Sequence, residues 1–119
     1  MAQGLRYGRA NRHRGEIEAL IDGERRILCL TLGALAELET AFAADDLTAL
    51  ARRFVGGRMK AEDMIRVIGA GLRGAGNVFS DEDVAAATVD GGIAGYASIV
   101  ADLLIATFAG PKAETPPDP

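Results

Sequence analysis

Residues 59–76, MKAEDMIRVIGAGLRGAG, decide the fold, because the same letters are compatible with two structures. As a motif, Gly69, Gly71 and Gly74 spell G-x-G-x-x-G, the glycine spacing of dinucleotide-binding loops. As a helix, the stretch carries apolar residues at spacings of three and four on one face, and its charged residues lie mainly elsewhere. The apolar face consists of Met64, Ile65, Ile68 and Leu72. The motif predicts a nucleotide-binding domain, whereas the helix predicts a helical domain that binds another protein.

The surrounding sequence favours the helix. A dinucleotide fingerprint follows a β-strand, opens a helix and is followed about twenty residues later by an acid at the end of the next strand. Here AGNVFSDED at 75–83 follows the motif, and it begins no amphipathic helix before Ser80. The sequence near Asp90 does not indicate a second parallel strand. We therefore predict a helix over about 61–73 and keep nucleotide binding at Gly69–Gly74 as a remote alternative.

Glycines inside a helix need a reason, because each costs about 1 kcal/mol relative to alanine. Gly69 and Gly71 would allow another helix to approach closely, and Gly74 and Gly76 would end the helix. The sequence leaves open whether the approaching helix belongs to this domain or to a partner.

A β-hairpin is predicted over about 15–31, ahead of this helix. GEIEALI alternates apolar and polar residues up to Asp22-Gly23, which has turn chemistry, and RRILCL follows as a second strand. A lone hairpin is marginal in water, so its apolar face must pack on helices.

Two registers of this hairpin are possible. A two-residue Asp22-Gly23 loop would pair Ala19 with Arg26, whereas a four-residue loop would pair Ala19 with Leu28. The longer loop brings more apolar side chains together, and we expect that register.

The remaining elements are helical, and about five helices are predicted in all. The expected helices are 32–42 with Thr31 as its N-cap, 47–57, 61–73, 84–89 after an acidic first turn at 80–83, and 93–108 before Gly110-Pro111. The fold class is therefore α+β. One domain over 14–109 is expected, flanked by a flexible basic arm at 1–13 and a disordered, proline-rich tail at 110–119.

Charge is distributed unevenly. The chain has 119 residues and a net charge of -4, yet the first fourteen residues hold four arginines and no acid. An acidic body argues against a broad nucleic-acid surface, which needs clustered lysine and arginine. Only the arm is a candidate for touching a polyanion.

Groups for catalysis or metal binding are scarce. Cys29 and His13 are each the only residue of their type, so they cannot supply a structural zinc site. The serines and threonines lack an ordered histidine to activate them. We expect no enzyme activity, no metal and no cofactor. The sequence holds no apolar run of about 20 residues that would span a membrane, and we expect a cytoplasmic location.

An apolar surface for a protein partner is the remaining candidate site. The last helix carries more apolar residues than one buried stripe needs, and the face of helix 61–73 could complete a groove for an apolar helix. The candidate partner-binding residues are Ile65, Ile68, Gly69, Gly71, Leu72, Tyr96, Val100 and Leu104.

Three segments carry a resemblance to a known family. They are Arg14-Gly15 at the entry to the hairpin, LGALAELE at 32–39 and GLRGAG at 71–76. Over roughly 11–108 the sequence resembles the small tail-assembly proteins of gene transfer agents, phage-like particles made by alphaproteobacteria, which are grouped with the tail assembly chaperones of long-tailed phages.

The resemblance implies a non-enzymatic tail assembly chaperone. Its partners would be the tape measure protein, which it would keep soluble, and the tail tube protein, whose assembly it would promote. Such a chaperone would be absent or scarce in the finished particle, and it could be oligomeric. The alternative is a structural tail tube component. A tube subunit is expected to be rich in strands, whereas this sequence offers one hairpin, and that difference favours the chaperone.

Overall fold

A hairpin and four helices make up the part of the chain that the computed structural model describes, which is residues 10–43, 49, 51–52 and 59–109. The elements are β1 Glu16–Ile21, β2 Glu24–Cys29, α1 Leu32–Phe42, α2 Ala61–Gly74, α3 Asp81–Ala86 and α4 Gly92–Leu104. A 3-10 turn, Arg12–Arg14, precedes β1, and a π-helical turn, Ile105–Ala109, continues α4. The predicted α+β class, a hairpin packed on helices, is confirmed.

Some predictions fall outside the described residues. These are the arm at 1–9, the tail at 110–119 and most of the predicted helix 47–57, of which only Ala49, Ala51 and Arg52 are described, all three as helical.

The hairpin register differs from the one expected. Ala19 opposes Arg26 and Ile17 opposes Leu28, so the loop has two residues. Both loop residues have positive φ, 56° at Asp22 and 78° at Gly23. This is the type I′ geometry, whose twist matches that of the flanking strands. The prediction of a four-residue loop was wrong because it weighed apolar pairing above turn chemistry.

The observed register places Arg26 on the same side of the sheet as the buried Ile17 and Ile21, and distant residues accommodate its charge. The guanidinium carbon lies 5.0 Å from the centre of the Phe79 ring. One guanidinium nitrogen donates to the Asn77 side-chain oxygen at 3.3 Å. A cation above an aromatic ring contributes about 0.5–1 kcal/mol even when exposed, and an ion pair with Glu24 at 2.8 Å adds to it, so these contacts offset part of the cost of placing Arg26 on this side of the sheet.

Helix α2 is the centre of the core. It contacts β2, α1, α3 and α4, which is why its inner face is completely enclosed. Four of its side chains are fully buried, those of Val67, Ile68, Ala70 and Leu72. Burying a Val, Ile or Leu side chain contributes about 1.5–3 kcal/mol, so this face supplies a large share of the folding free energy.

Arg73 ties three helices together at the end of α2. Its guanidinium group donates to Glu37 of α1 at 2.6 Å and to Asp81 of α3 at 3.1 Å. It also donates to the carbonyl oxygen of Phe79 at 3.0 Å. Partial burial opposes the charge, but the bonds to the two carboxylates outweigh burial and raise the pKa of Arg73.

Helix α3 begins after Ser80, as the acidic first turn at 80–83 predicts, and ends at Ala86, three residues before the predicted end at 89. Ser80 caps its N-terminus by accepting from the Asp83 amide, and Asp83 accepts from the Ser80 amide in return. The helix ends at Ala86 because the Thr88 amide and hydroxyl are both engaged by the Asp22 carboxylate, at 2.8 and 3.1 Å. The hairpin turn thereby holds the loop after α3 in place.

Candidate functional site

The structure places five of the eight candidate partner-binding residues inside the domain's own core. Ile68, Gly69, Gly71, Leu72 and Val100 are all buried. They are enclosed because α3 and α4 cover the apolar face of α2. In this structure that face therefore does not form a groove for another protein.

The glycines of the G-x-G-x-x-G motif all lie within α2, and each meets a neighbour from the same domain. A Cβ at Gly69 would collide with the Asp81 carboxylate, and one at Gly74 with the backbone carbonyl of Cys29. A Cβ at Gly71 would lie 2.7 Å from Cδ2 of Leu103. The motif therefore provides close packing between elements rather than a loop opening a helix.

The other three candidates remain partly exposed, and two of them line a small surface pocket. Ile65 and Tyr96 face a cavity of about 190 Å³ between α2, α3 and α4, which we name the α2–α4 pocket. Ile93 forms part of its wall and is 66% exposed. The third candidate, Leu104, is half-buried against the core. Apolar surface is thus available here, although less than the sequence suggested.

The Tyr96 hydroxyl anchors one side of the α2–α4 pocket. It donates to the carbonyl oxygen of Ala87 at 2.6 Å, which fixes the ring against the end of α3. Burial, together with the negative charge of Asp22, raises the pKa of Tyr96 above its usual value. The hydroxyl therefore stays protonated and keeps its hydrogen bond throughout the neutral range.

A larger groove, which the sequence did not predict, runs between β1 and α4. We name it the β1–α4 groove, and its volume is about 570 Å³. Two apolar side chains on its border are unusually exposed, Leu20 at 51% and Ile105 at 52%. The wall is completed by Ile17, Glu18, Ala19, Val89, Asp90, Gly95, Ser98, Ile99, Ala101 and Asp102. The sequence held one signal for this surface, because Leu20 is an apolar residue on the outward side of an alternating strand.

The ionisable groups on the wall of the β1–α4 groove are acidic. Glu18 pairs with Arg25 across the outer face of the hairpin at 3.2 Å, and Asp90 and Asp102 lie on the opposite side. An apolar surface with acidic groups suits an apolar and basic polypeptide segment.

Among the described residues, no three histidine, cysteine or acidic side chains are grouped so as to hold a metal ion. None of the described helices combines the length and apolar character needed to cross a membrane.

The sequence matches a protein family over most of its length. The sequence profile of the family described as "Phage tail tube protein, GTA-gp10" matches residues 14–110, a span that includes the hairpin and all four helices. No curated protein and no solved structure matches the chain.

This match contradicts the expectation of a tail assembly chaperone, because the matched family is one of tail tube proteins. The expectation was wrong because it counted the strands of one chain. A strand edge left open in one subunit can be completed by another segment, so strand content in a single chain is a poor guide to a polymer. The family is structural and non-enzymatic, and its connection to gene transfer agents agrees with the resemblance seen in the sequence. The chain belongs to the phage tail tube protein family GTA-gp10.

Proposed function

We propose that this protein is a structural subunit of the tail tube of a gene transfer agent or related phage-like particle. The observation that carries the proposal is the family match over 14–110, which spans the whole ordered arrangement of hairpin and helices rather than a fragment of it. A tube is built from many copies of a subunit, so the protein acts by binding other copies of itself.

The two surfaces described above support this role. Head-to-tail contacts that close into rings or continue as helical tubes use two different patches on each subunit. The β1–α4 groove and the α2–α4 pocket share no lining residue. Each carries an apolar side chain that is more than half exposed, Ile105 in the groove and Ile93 in the pocket. Contacts between subunits would cover both side chains.

Further partners belong to the same proposal. The tape measure protein, which the resemblance implies as a partner, would contact the subunit along the tube. The cytoplasmic location expected from the sequence would apply to the subunit before assembly, and the assembled protein would be retained in the particle.

Quantitative mass spectrometry of purified particles tests the proposal. We expect this protein to be among the abundant tail components, at a copy number of many per particle. A finished, functional particle that contains only traces of it would contradict the proposal.

Variants at the two surfaces test how the subunit assembles. Ile93→Glu and Ile105→Glu should each prevent assembly of tails while leaving the melting temperature of the isolated subunit close to that of the wild type. Leu32→Glu is the matched control, because Leu32 is 80% exposed and lies in neither surface. Normal tails from both surface variants would exclude these surfaces as the subunit contacts.

A further inference from the structure

Strand β1 has an outer edge that faces away from β2. In a two-residue hairpin the residues that flank the loop, Ile21 and Glu24, exchange both backbone hydrogen bonds, and bonded and non-bonded pairs then alternate along the strands. The backbone N–H and C=O groups of Glu16, Glu18 and Leu20 therefore point away from β2.

Both ends of this outer edge are closed by loops of the same domain. At the start of β1, the Glu16 amide donates to the carbonyl oxygen of Asn11 at 3.1 Å. Just beyond its end, the Asp22 amide donates to the carbonyl oxygen of Thr88 at 2.8 Å. Any further strand on this edge is thus limited to the stretch between these two hydrogen bonds.

A gap in the hydrogen bonding remains at Glu18 and Leu20, between the two closed ends. Within the part of the chain that the structure describes, no group bonds the outward N–H or C=O of either residue. Unpaired backbone groups on a strand edge are a template for pairing with a further strand. Both residues also line the β1–α4 groove, which gives a further strand a place to lie.

The described strands of a second copy do not suit this gap. Antiparallel pairing of two β1 edges would bring their outward carboxylates, those of Glu16 and Glu18, close to one another, and like charges on neighbouring strands are destabilising. The outer edge of β2 is occupied near its middle, where the carbonyl oxygen of Ile27 accepts from the Asn77 side chain at 2.8 Å. Neither strand edge of another copy can therefore complete β1.

Helix α4 leaves room for a polypeptide segment beside β1. The residues through which α4 lines the groove include three small ones, Gly95, Ser98 and Ala101. On the opposite wall, Leu20 is 51% exposed. A strand laid against β1 would cover Leu20 and direct every second side chain towards this part of α4.

The charge of the groove selects a basic segment. Glu18, Asp90 and Asp102 contribute carboxylates to its wall, and none of the residues that line it is basic. Arg25 pairs with Glu18 at 3.2 Å, but it lies on β2, outside the groove. Because complementary charges steer association and suppress wrong partners, an acidic wall favours a segment that carries lysine or arginine.

We propose that the gap in β1 is a docking site for an extended, basic segment of a different protein, which adds to the hairpin as a third strand. Main-chain hydrogen bonds to Glu18 and Leu20 hold the segment, and its alternating side chains give specificity. Side chains beside Glu18 on the outer face are basic, and those that face α4 are small or aliphatic.

Strand addition goes beyond the proposed tube role and rests on it only in treating the groove as a surface for other chains. Ile105 lies towards the other end of the groove, since the next residue, Ala106, meets Gly15 before β1 begins. A contact between tube subunits at Ile105 therefore leaves the gap accessible. Peptide binding is measured on the isolated subunit, so its outcome and that of tail assembly are independent.

Peptide binding to the full chain tests the docking site. The probe is the peptide acetyl-KVKVKV-amide, whose lysines and valines lie on opposite faces of a strand. Two further peptides carry N-methyl groups on all lysines or on all valines, which removes the backbone donors of one edge and leaves the charge unchanged. One of the two should bind like the unmodified peptide, and the other should lose affinity by a factor of about ten or more, because it lacks the donors that face β1. Equal binding of the two N-methylated peptides, or no binding of the unmodified peptide at millimolar concentrations, would overturn the proposal.

Charge reversal at the gap tests the chemistry of the segment. Glu18→Lys should weaken binding of acetyl-KVKVKV-amide and strengthen binding of acetyl-EVEVEV-amide. Glu39→Lys is the matched control, because Glu39 lies on α1, outside the groove, and it should leave both affinities unchanged. Equal effects of the two variants would overturn the assignment of a basic segment to this groove.

Amide hydrogen exchange locates the bound segment. Without peptide, the amides of Glu18 and Leu20 should exchange rapidly, whereas those of Ile17 and Ala19, which bond to β2, should exchange slowly. The peptide should slow exchange at Glu18 and Leu20 by a factor of about ten or more and change the other two little. Protection of Glu18 and Leu20 in dilute protein without peptide would show that the protein's own chain fills the gap. Protection that appears only at high protein concentration would assign the gap to a second copy, and either result would overturn the proposal.

Discussion

Leu103 of α4 packs against the backbone of α2 at Gly71, with its Cδ2 atom 2.7 Å from the position that a Cβ on residue 71 would occupy. Both residues are buried, and Leu103 is fully enclosed. The glycine in the middle of α2 is therefore required by the domain's own last helix. This contact answers the question that the glycine motif raised, because the approaching helix belongs to the same domain.

Alanine substitutions at the three motif glycines should lower the free energy of unfolding by different amounts, in a defined order. Gly74→Ala should be the most destabilising, because its Cβ would meet the rigid backbone carbonyl of Cys29. Gly71→Ala should lower the free energy of unfolding by about 1–3 kcal/mol, because the added methyl group overpacks the contact with Leu103. Gly69→Ala should be the mildest, because moving the Asp81 side chain loses only its partly exposed ion pair with Arg73, while alanine favours the helix by about 1 kcal/mol.

Urea denaturation of the three variants measures this order. Circular dichroism at 222 nm follows the helices, and the unmodified chain is the reference. If Gly74→Ala were the least destabilised of the three, the close contact between α2 and β2 would be contradicted.

The turn residue Asp22 supports a second prediction. Asp22 has a left-handed backbone, and its carboxylate accepts from both the amide and the hydroxyl of Thr88. Asp22→Ala loses both hydrogen bonds and the tolerance of aspartate for this conformation, so it should lower the free energy of unfolding by about 1–3 kcal/mol. Asp22→Asn keeps an oxygen acceptor and the backbone tolerance, and it should lose about 1 kcal/mol or less.

Thr88→Val is the control for Asp22. It removes only the hydrogen bond from the hydroxyl group, so its melting temperature should lie between those of Asp22→Ala and Asp22→Asn. Calorimetry of thermal unfolding measures this difference. Equal melting temperatures for Asp22→Ala and Asp22→Asn would show that the carboxylate does not hold the loop after α3.

A third prediction concerns Asn77, which links α2 to the edge of β2. Its side-chain amide donates to the carbonyl oxygens of Ile27 at 2.8 Å and Leu72 at 3.1 Å, and its oxygen accepts from Arg26. Asn77→Asp retains the acceptor but places a carboxylate against two carbonyl oxygens. We expect Asn77→Asp to be at least as destabilising as Asn77→Ala, and each should lower the free energy of unfolding by about 1–3 kcal/mol.

The pH dependence of stability distinguishes these two Asn77 variants. The two carbonyl oxygens disfavour the charged form of the new carboxyl group and raise its pKa in the folded chain, and protonation would restore a donor. Asn77→Asp should therefore regain stability relative to Asn77→Ala as the pH falls from neutral, and the gain should be complete near pH 4, where the carboxyl group of the unfolded chain also takes up its proton. A constant difference between the two across pH 3–7 would contradict the assigned hydrogen bonds.

Much of the fold follows from local sequence, and the exceptions have identifiable causes. Helix α1 matched its predicted range, 32–42, because Thr31 caps it and its apolar spacing is regular. The hairpin register could not be obtained from apolar pairing, because Arg26 is accommodated by Phe79 and Asn77, which lie about fifty residues away.

The candidate site was harder to predict than the fold. Periodicity identifies a buried face such as that of Ile68 and Leu72, but it cannot say whether the covering element belongs to the same chain. The β1–α4 groove was missed for a related reason, because its wall combines residues of β1 with residues of α4 that lie about eighty positions later in the sequence.

The reactivity of Cys29 gives the last prediction. Its thiol is half-buried, and its Sγ atom lies 3.5 Å from the carbonyl oxygen of Arg14, to which it donates. Burial and the nearby charge of Glu16 raise the pKa of the Cys29 thiol, and the opposing effect of Arg14 is smaller. Because the thiolate is the nucleophile, alkylation by iodoacetamide should be slower in the native chain than in the unfolded chain at the same pH.

The pH profile of alkylation separates the shifted pKa from simple steric protection. The rate of alkylation should rise with pH, with a midpoint above that of the same chain in denaturant, whereas steric protection alone would lower the rate without moving the midpoint.

The raised pKa of Cys29 also makes the free energy of unfolding depend on pH. The unfolded chain releases the thiol proton first, so the contribution of Cys29 is complete below the unfolded pKa and is lost as the pH rises through the folded pKa. Cys29→Ser should remove this alkaline loss, and a native midpoint at or below that of the unfolded chain would contradict the burial of the thiol against Arg14 and Glu16.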